Sequence, residues 1–143
     1  MVNYIGLIYV LIASITWGIV YNLDQKILIK SSPLTMFFVG SIINIILLLP
    51  LYFYSKDSLK DILSIDRPQF TLIFLSQLLA IVVGLAILYA VKYLDAPVAS
   101  SLEISYPFFV VFFYYFVFGG TSLSTNFWIG SILIFIGSIF IIK

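Results

Sequence analysis

Residues 69–91 read QFTLIFLSQLLAIVVGLAILYAV, an uncharged stretch bounded by Arg67 on one side and Lys92 on the other. A hydrocarbon core about 30 Å thick is crossed by roughly 20 helical residues at about 1.5 Å each, so this segment can span a bilayer. A barrel strand would be shorter and would alternate apolar with polar residues. Stretches of this chain such as Ile42–Leu49 and Ile129–Ile142 are apolar on every side instead. Lipid offers no partner to a backbone N–H or C=O, so a spanning segment of this kind must be helical.

Working outward, four further stretches have the same character. They cover residues 4–23 and 34–54 before the quoted segment, and 97–118 and 126–142 after it. The charges fall between them, with Asp24, Lys26 and Lys30 in one group, Lys56 to Arg67 in a second, and Lys92 with Asp95 in a third. Only 9% of the 143 residues are charged, 63% are apolar, and mean hydropathy is +1.21. A water-facing domain carries roughly 25% charged residues. The expectation is an all-α integral membrane protein, a single domain over residues 1–143 made of five transmembrane helices in lipid.

Composition also narrows the chemistry. With no cysteine and no histidine, thiolate chemistry, disulfides and the commonest metal ligand are ruled out. No metal site, cofactor or catalytic residue is expected: the chain has no phosphate loop and no pair of acids inside the spans, so it does not read as an enzyme. A net charge of +1 gives nucleic acid no electrostatic purchase. The N-terminus lacks the basic region and small-residue cleavage site of a signal peptide. Residues 55–68 place Leu59, Ile62 and Leu63 on one side and charges on the other, as in a short interfacial turn or helix.

Five spans put the two ends of the chain on opposite sides of the membrane. One side then carries Lys56, Lys60 and Arg67, and the other Lys26, Lys30, Lys92 and Lys143, three basic side chains against four. Orientation follows the imbalance of Lys and Arg. So small a difference is compatible with one weakly set orientation or with dual topology, in which copies insert both ways and pair antiparallel.

Several short motifs recur in order along the chain: Trp17-Gly18, Ser32-Pro33-Leu34, Tyr89-Ala90-Val91-Lys92-Tyr93, Ala99-Ser100-Ser101 before Pro107, and Trp128-Ile129-Gly130 before Gly137. Together they resemble the EamA-type branch of the drug/metabolite transporter superfamily over nearly the whole chain. The resemblance implies one half of an inverted-repeat transporter, since members usually carry two five-helix halves. It further implies a small-molecule solute and a partner half, either a second copy (an antiparallel homodimer) or a paralogue (a heterodimer). It also implies the cytoplasmic membrane of a prokaryote. One departure is plain: where the family often has Gly-Glu after the fourth helix, this chain has Gly119-Gly120.

Glu103 is the one ionisable residue deep inside an expected span, about 10 Å past the start of the fourth. A charge there costs at least about 2.5–3.5 kcal/mol, so such residues face a cavity or a partner. Pro107, four residues on, has no N–H for the Glu103 carbonyl and its ring presses on that carbonyl, which predicts a kink. By helical spacing Ala99, Glu103, Tyr106, Val110 and Tyr114 share a face. Glu103 is the candidate proton or substrate ligand, with Tyr106 and Tyr114 beside it. The bland alternative is a neutral Glu hydrogen-bonded to a neighbouring helix.

Ser14, Trp17 and Tyr21 share a face of the first span, suited to stacking on a flat or cationic solute. Tyr21 equally fits an interfacial aromatic belt. Asn44 and Gln77 are amides at membrane depth, either hydrogen-bonding glue between helices or solute contacts. Ala80 and Gly84 make a close-packing pair on the Gln77 face. Gly130 and Gly137, with Ser131 and Ser138 beside them, form a small-residue stripe suited to packing or to a dimer contact. The small multidrug resistance branch, a proton-coupled cation and drug exporter, is similar in its glycine-spaced last helix but keeps its acid in the first, where this chain has none. A secondary transporter working by alternating access is the leading reading. The alternatives are such an exporter and a non-transporting accessory subunit.

Overall fold

The structure, a computed structural model, describes residues 4–55, 58–120 and 123–141. Lys56, Lys143 and Ile142, which enter the charge count and the fifth expected span, lie outside the described residues. Seven helices and no strands occur among the described residues: α1 (Tyr4–Leu28), α2 (Pro33–Tyr54), α3 (Ser58–Ser64), α4 (Arg67–Leu94), α5 (Ala96–Glu103), α6 (Tyr106–Phe116) and α7 (Thr125–Phe140). The helices α1, α2 and α4, and the 21-residue stretch Ala96–Phe116 shared by α5 and α6, are long and apolar enough to cross a membrane. The fifth, α7, is apolar and 16 residues long. The protein is an all-α membrane protein of five transmembrane helices, and α3 is the short element between the second and third.

Helix ends differ from the expected spans for physical reasons. The first span was expected to end at residue 23, yet α1 runs to Leu28. Nothing between Leu23 and Leu28 is a Gly or Pro, and a helix needs no apolar residues once it has left the hydrocarbon. The stop comes at Pro33, which drives Ser32 into an extended conformation (φ −80°, ψ 149°). The Thr35 N–H then donates to the Ser32 hydroxyl at 3.1 Å, capping α2. At the start of α4 the Gln69 N–H donates to the Asp66 carboxylate at 2.8 Å, so that helix begins at Arg67, not at residue 69.

The chain packs as two units, Met1–Gln25 with Ala90–Lys143, and Lys26–Tyr89. In the first unit α6 and α7 join through aromatic rings. Phe135 lies 4.8 Å from Phe108 and 6.0 Å from Phe109, and Trp128 lies 6.0 Å from Tyr115. Its buried residues are Tyr21, Val91, Ala96, Ala99, Val111, Ser131 and Ser138. Both serines can be buried because their hydroxyls donate to carbonyls of their own helix, Ser131 to Phe127 at 2.9 Å and Ser138 to Phe135 at 2.8 Å. The glycines beside them behave differently: a Cβ at Gly130 or Gly137 would meet nothing within 4 Å. The serines occupy the packed side of α7, and the glycine side is open among the described residues.

In the second unit Leu28, Pro33 and Leu88 are buried. Here α4 meets α2 at Gly84, where a Cβ would run into the Phe37 ring. Most of the large apolar side chains of α2, such as Ile45, Ile46 and Leu47, point outward. That is the normal condition of a helix surrounded by lipid. Gly84→Leu is expected to lower stability in detergent by about 1–3 kcal/mol through overpacking against Phe37. Adding Phe37→Ala should recover most of that loss in thermal unfolding, whereas simple additivity would show that the two residues do not meet.

Candidate functional site

The fourth membrane helix is broken in two. Pro107 cannot donate to the Glu103 carbonyl, and α5 stops at Glu103. Residues 104 and 105 form a tight turn in which the Ser105 N–H donates to the Leu102 carbonyl at 3.1 Å. The Phe108 N–H then donates to the Ser105 carbonyl at 3.1 Å as α6 begins. Glu103 is the last residue of the first half-helix. Its side chain is half-buried and makes no hydrogen bond or ion pair among the described residues.

A cavity of about 510 Å³ opens against this break. Its α1 wall is Ser14, Trp17, Gly18 and Tyr21, spaced i, i+3, i+4 and i+7 on one helical face. The opposite wall is the end of α5, with Ser100, Ser101, Glu103 and Ile104, and the first residue of α6, Tyr106. The Trp17 and Tyr21 rings lie 5.9 Å apart, tilted by 48°. Trp17 is 58% exposed, whereas Tyr21 is only 7% exposed. The Tyr21 hydroxyl is sealed from solvent and has no hydrogen-bond partner among the described residues. A phenol left in that condition costs about 1–3 kcal/mol.

The two walls are held together by a residue that the sequence reading did not single out. The Gln25 side-chain amide donates to the Asp95 carboxylate at 3.0 Å, and its carbonyl oxygen accepts the Ala96 N–H at 3.1 Å. Asp95 is the single residue between α4 and α5. Its backbone sits at φ 67°, ψ 156°, a region nearly reserved for glycine and costing about 1–3 kcal/mol for other residues. Asp95 makes no capping bond with its own side chain, so Gln25, seventy positions away, takes over that role. A signal did exist: positions 14, 18, 21 and 25 continue one face of α1.

Glu103, Tyr106, Trp17 and Tyr21 are thus brought to one cavity, with Pro107 at the break beside them. Tyr114 is placed elsewhere. It lies against the turn after α6, where Gly119 has φ 64°, the Gly120 N–H donates to the Tyr114 carbonyl at 2.8 Å, and a Cβ at Gly120 would strike the Tyr114 ring. That geometry accounts for glycine at both positions of the Gly119-Gly120 pair. Asn44 and Gln77 are exposed residues of the second unit, and neither amide hydrogen-bonds to a described residue.

A cavity with a few polar groups against an interrupted membrane helix is the arrangement found at the binding sites of many transporters. Comparison with known families agrees: the model of the EamA-like transporter family matches residues 4–143, so the chain belongs to that family, within the drug/metabolite transporter superfamily. Neither the curated proteins nor the solved structures provide a match.

Gln25→Leu is expected to lower stability by about 1–3 kcal/mol, the cost of leaving the Ala96 N–H and the Asp95 side chain without their partner. In that background Asp95→Gly should be stabilising, because the strained backbone is relieved and no side-chain bond remains to be lost. Thermal unfolding of the purified variants reads both effects.

Proposed function

We propose that the protein is a secondary transporter of a small organic solute, working by alternating access as an antiparallel pair of five-helix halves in the cytoplasmic membrane of a prokaryote. The observation that carries this reading is Glu103 at the end of a broken membrane helix, facing a cavity walled by Trp17, Tyr21 and Tyr106. Interrupted helices supply binding groups near the bilayer midplane in many transporters. Five helices supply one side of a two-sided pathway, and an inverted second half supplies the other. Three basic residues against four across the membrane favour insertion in both orientations, which makes a second copy the simplest source of that half.

Within this scheme Glu103 holds either a proton or part of the solute. An unneutralised carboxylate in hydrocarbon is costly, so each reorientation of the pathway takes place with one or the other bound. Solute movement is thereby exchanged for proton movement.

Two measurements test the reading. In proteoliposomes containing a pH-sensitive dye, amines, amino acids and nucleosides are added in turn; at least one should drive proton movement in the wild type. Glu103→Gln should slow it by about 10- to 100-fold, the worth of a charge-assisted hydrogen bond. An unchanged rate in the variant, or no response to any solute, would sink the coupling. Topology is read by Ser64→Cys in this cysteine-free chain, labelled in intact cells with an impermeant thiol reagent. About half of the protein should label from outside if copies insert both ways, whereas one-sided labelling removes the antiparallel homodimer.

A further inference from the structure

Between the second and third spans, α3 and the start of α4 wall a cavity of about 510 Å³, lined by Ile62, Ile65, Asp66, Arg67, Phe70 and Thr71. All six residues belong to the second unit, whereas those around the helix break belong to the first. Arg67 opens α4, and the only other charged residue of that helix is Lys92, about 38 Å further on by helical rise. That is more than a hydrocarbon core of about 30 Å and less than the roughly 40–45 Å that includes the headgroups. Arg67 therefore lies at headgroup level. The exposed apolar side chains of α3, Ile62 and Leu63, fit a helix lying in the same interface.

The polar groups of this cavity form an unpaired dipole. Arg67 is the only lining side chain with protons to give, because the Thr71 hydroxyl has donated its own to the Arg67 carbonyl at 2.9 Å. The Asp66 carboxylate accepts the Gln69 N–H at 2.8 Å on Oδ1, and its second oxygen has no partner among the described residues. Asp66 and Arg67 are consecutive, yet neither forms an ion pair with a described residue. The rest of the wall, Ile62, Ile65 and Phe70, is apolar.

A free phosphate would use Arg67, but it would leave the apolar wall bare and meet the Asp66 carboxylate. A phosphatidylglycerol would cover the wall and still bring its net negative charge to that carboxylate. A choline headgroup balances the charges but has no N–H for the Asp66 oxygen. The ligand that answers every feature carries a phosphodiester, an ammonium with N–H donors two carbons away, and acyl chains.

We infer that the cavity between α3 and the start of α4 binds a phospholipid with an ethanolamine headgroup. The phosphodiester accepts from the Arg67 guanidinium, whose planar fork suits phosphate oxygens. The ammonium donates to the free Asp66 oxygen, and the first acyl carbons lie against Ile62, Ile65 and Phe70. Nothing in this site depends on what the protein transports.

The test is native mass spectrometry of the full chain in detergent, titrated with phosphatidylethanolamine, phosphatidylcholine and phosphatidylglycerol of identical acyl chains. Phosphatidylethanolamine should bind about fivefold more tightly than either of the others. Arg67→Gln should weaken it about fivefold, the worth of one cation at a membrane surface. Lys60→Gln, exposed on α3 and outside the cavity, should change it less than about twofold. Asp66→Asn keeps an oxygen to cap α4 but loses the charge, so it should bring phosphatidylethanolamine and phosphatidylcholine within about twofold of each other. Equal binding of the three lipids by the wild type would mean unselective annular lipid and overturn the site. Tightest binding of phosphatidylglycerol would overturn the ethanolamine headgroup. Equal losses in the Lys60 and Arg67 variants would overturn the cavity as the place of binding. Displacement of the lipid by an equal concentration of glycerophosphoethanolamine, which has no acyl chains, would overturn a lipid as the occupant.

Discussion

The Gln25 amide spans two groups that have no other hydrogen-bond partner among the described residues: the Asp95 carboxylate on one side and the Ala96 N–H on the other. Between α4 and α5 the chain turns on one residue, and that residue holds a backbone conformation that non-glycine residues avoid. Such strain persists only where the surroundings over-determine it. Gln25 is also one helical turn past Tyr21 on the cavity face of α1. The bond that restrains the strained turn therefore fixes the start of α5 against α1, and with it the gap between Trp17 and Tyr21 on one wall and Glu103 on the other.

A second constraint comes from the solvent. In lipid a broken helix is expensive because freed backbone groups find no water. Here the break is confined to two residues, whose N–H groups are taken up by carbonyls of the preceding turn. The serines of α5 and α7 satisfy themselves in the same way, each on a carbonyl of its own helix. Among the described residues of the first unit, the Glu103 carboxyl, at the cavity, and the buried Tyr21 hydroxyl are left without a partner. Polar groups without partners mark the place where the fold gives up stability.

The five spans were legible because the bilayer imposes a length and excludes charge, two properties read directly from a run such as residues 69–91. Their ends were less legible, since a helix that has left the hydrocarbon continues through Asp24 and Lys26 until a proline stops the chain. Periodicity placed Ser14, Trp17 and Tyr21 on one face, and a proline four residues after an acid located the break. Tyr114 shares the Tyr106 and Val110 face of α6, as the spacing implies, but lies two turns past the cavity at the break. Gln25 escaped notice because a polar residue past the end of a span looks like loop. The fifth helix shows the limit of composition: Gly130–Ser131 and Gly137–Ser138 are equivalent as small residues, yet the serines are packed and the glycines open. Which side of a small-residue pair is buried follows from neighbouring helices, not from the pair.

The chemistry of the cavity follows from how its protons are already committed. A serine in a membrane helix normally donates to a carbonyl one turn back, because no water competes for it. Several serines facing one space therefore present a surface of acceptors, whatever their nominal ability to donate. Adding one carboxyl makes that surface negative, and withholding every lysine and arginine leaves nothing within the cavity to neutralise it. A carboxyl so placed is neutral only while it holds a proton.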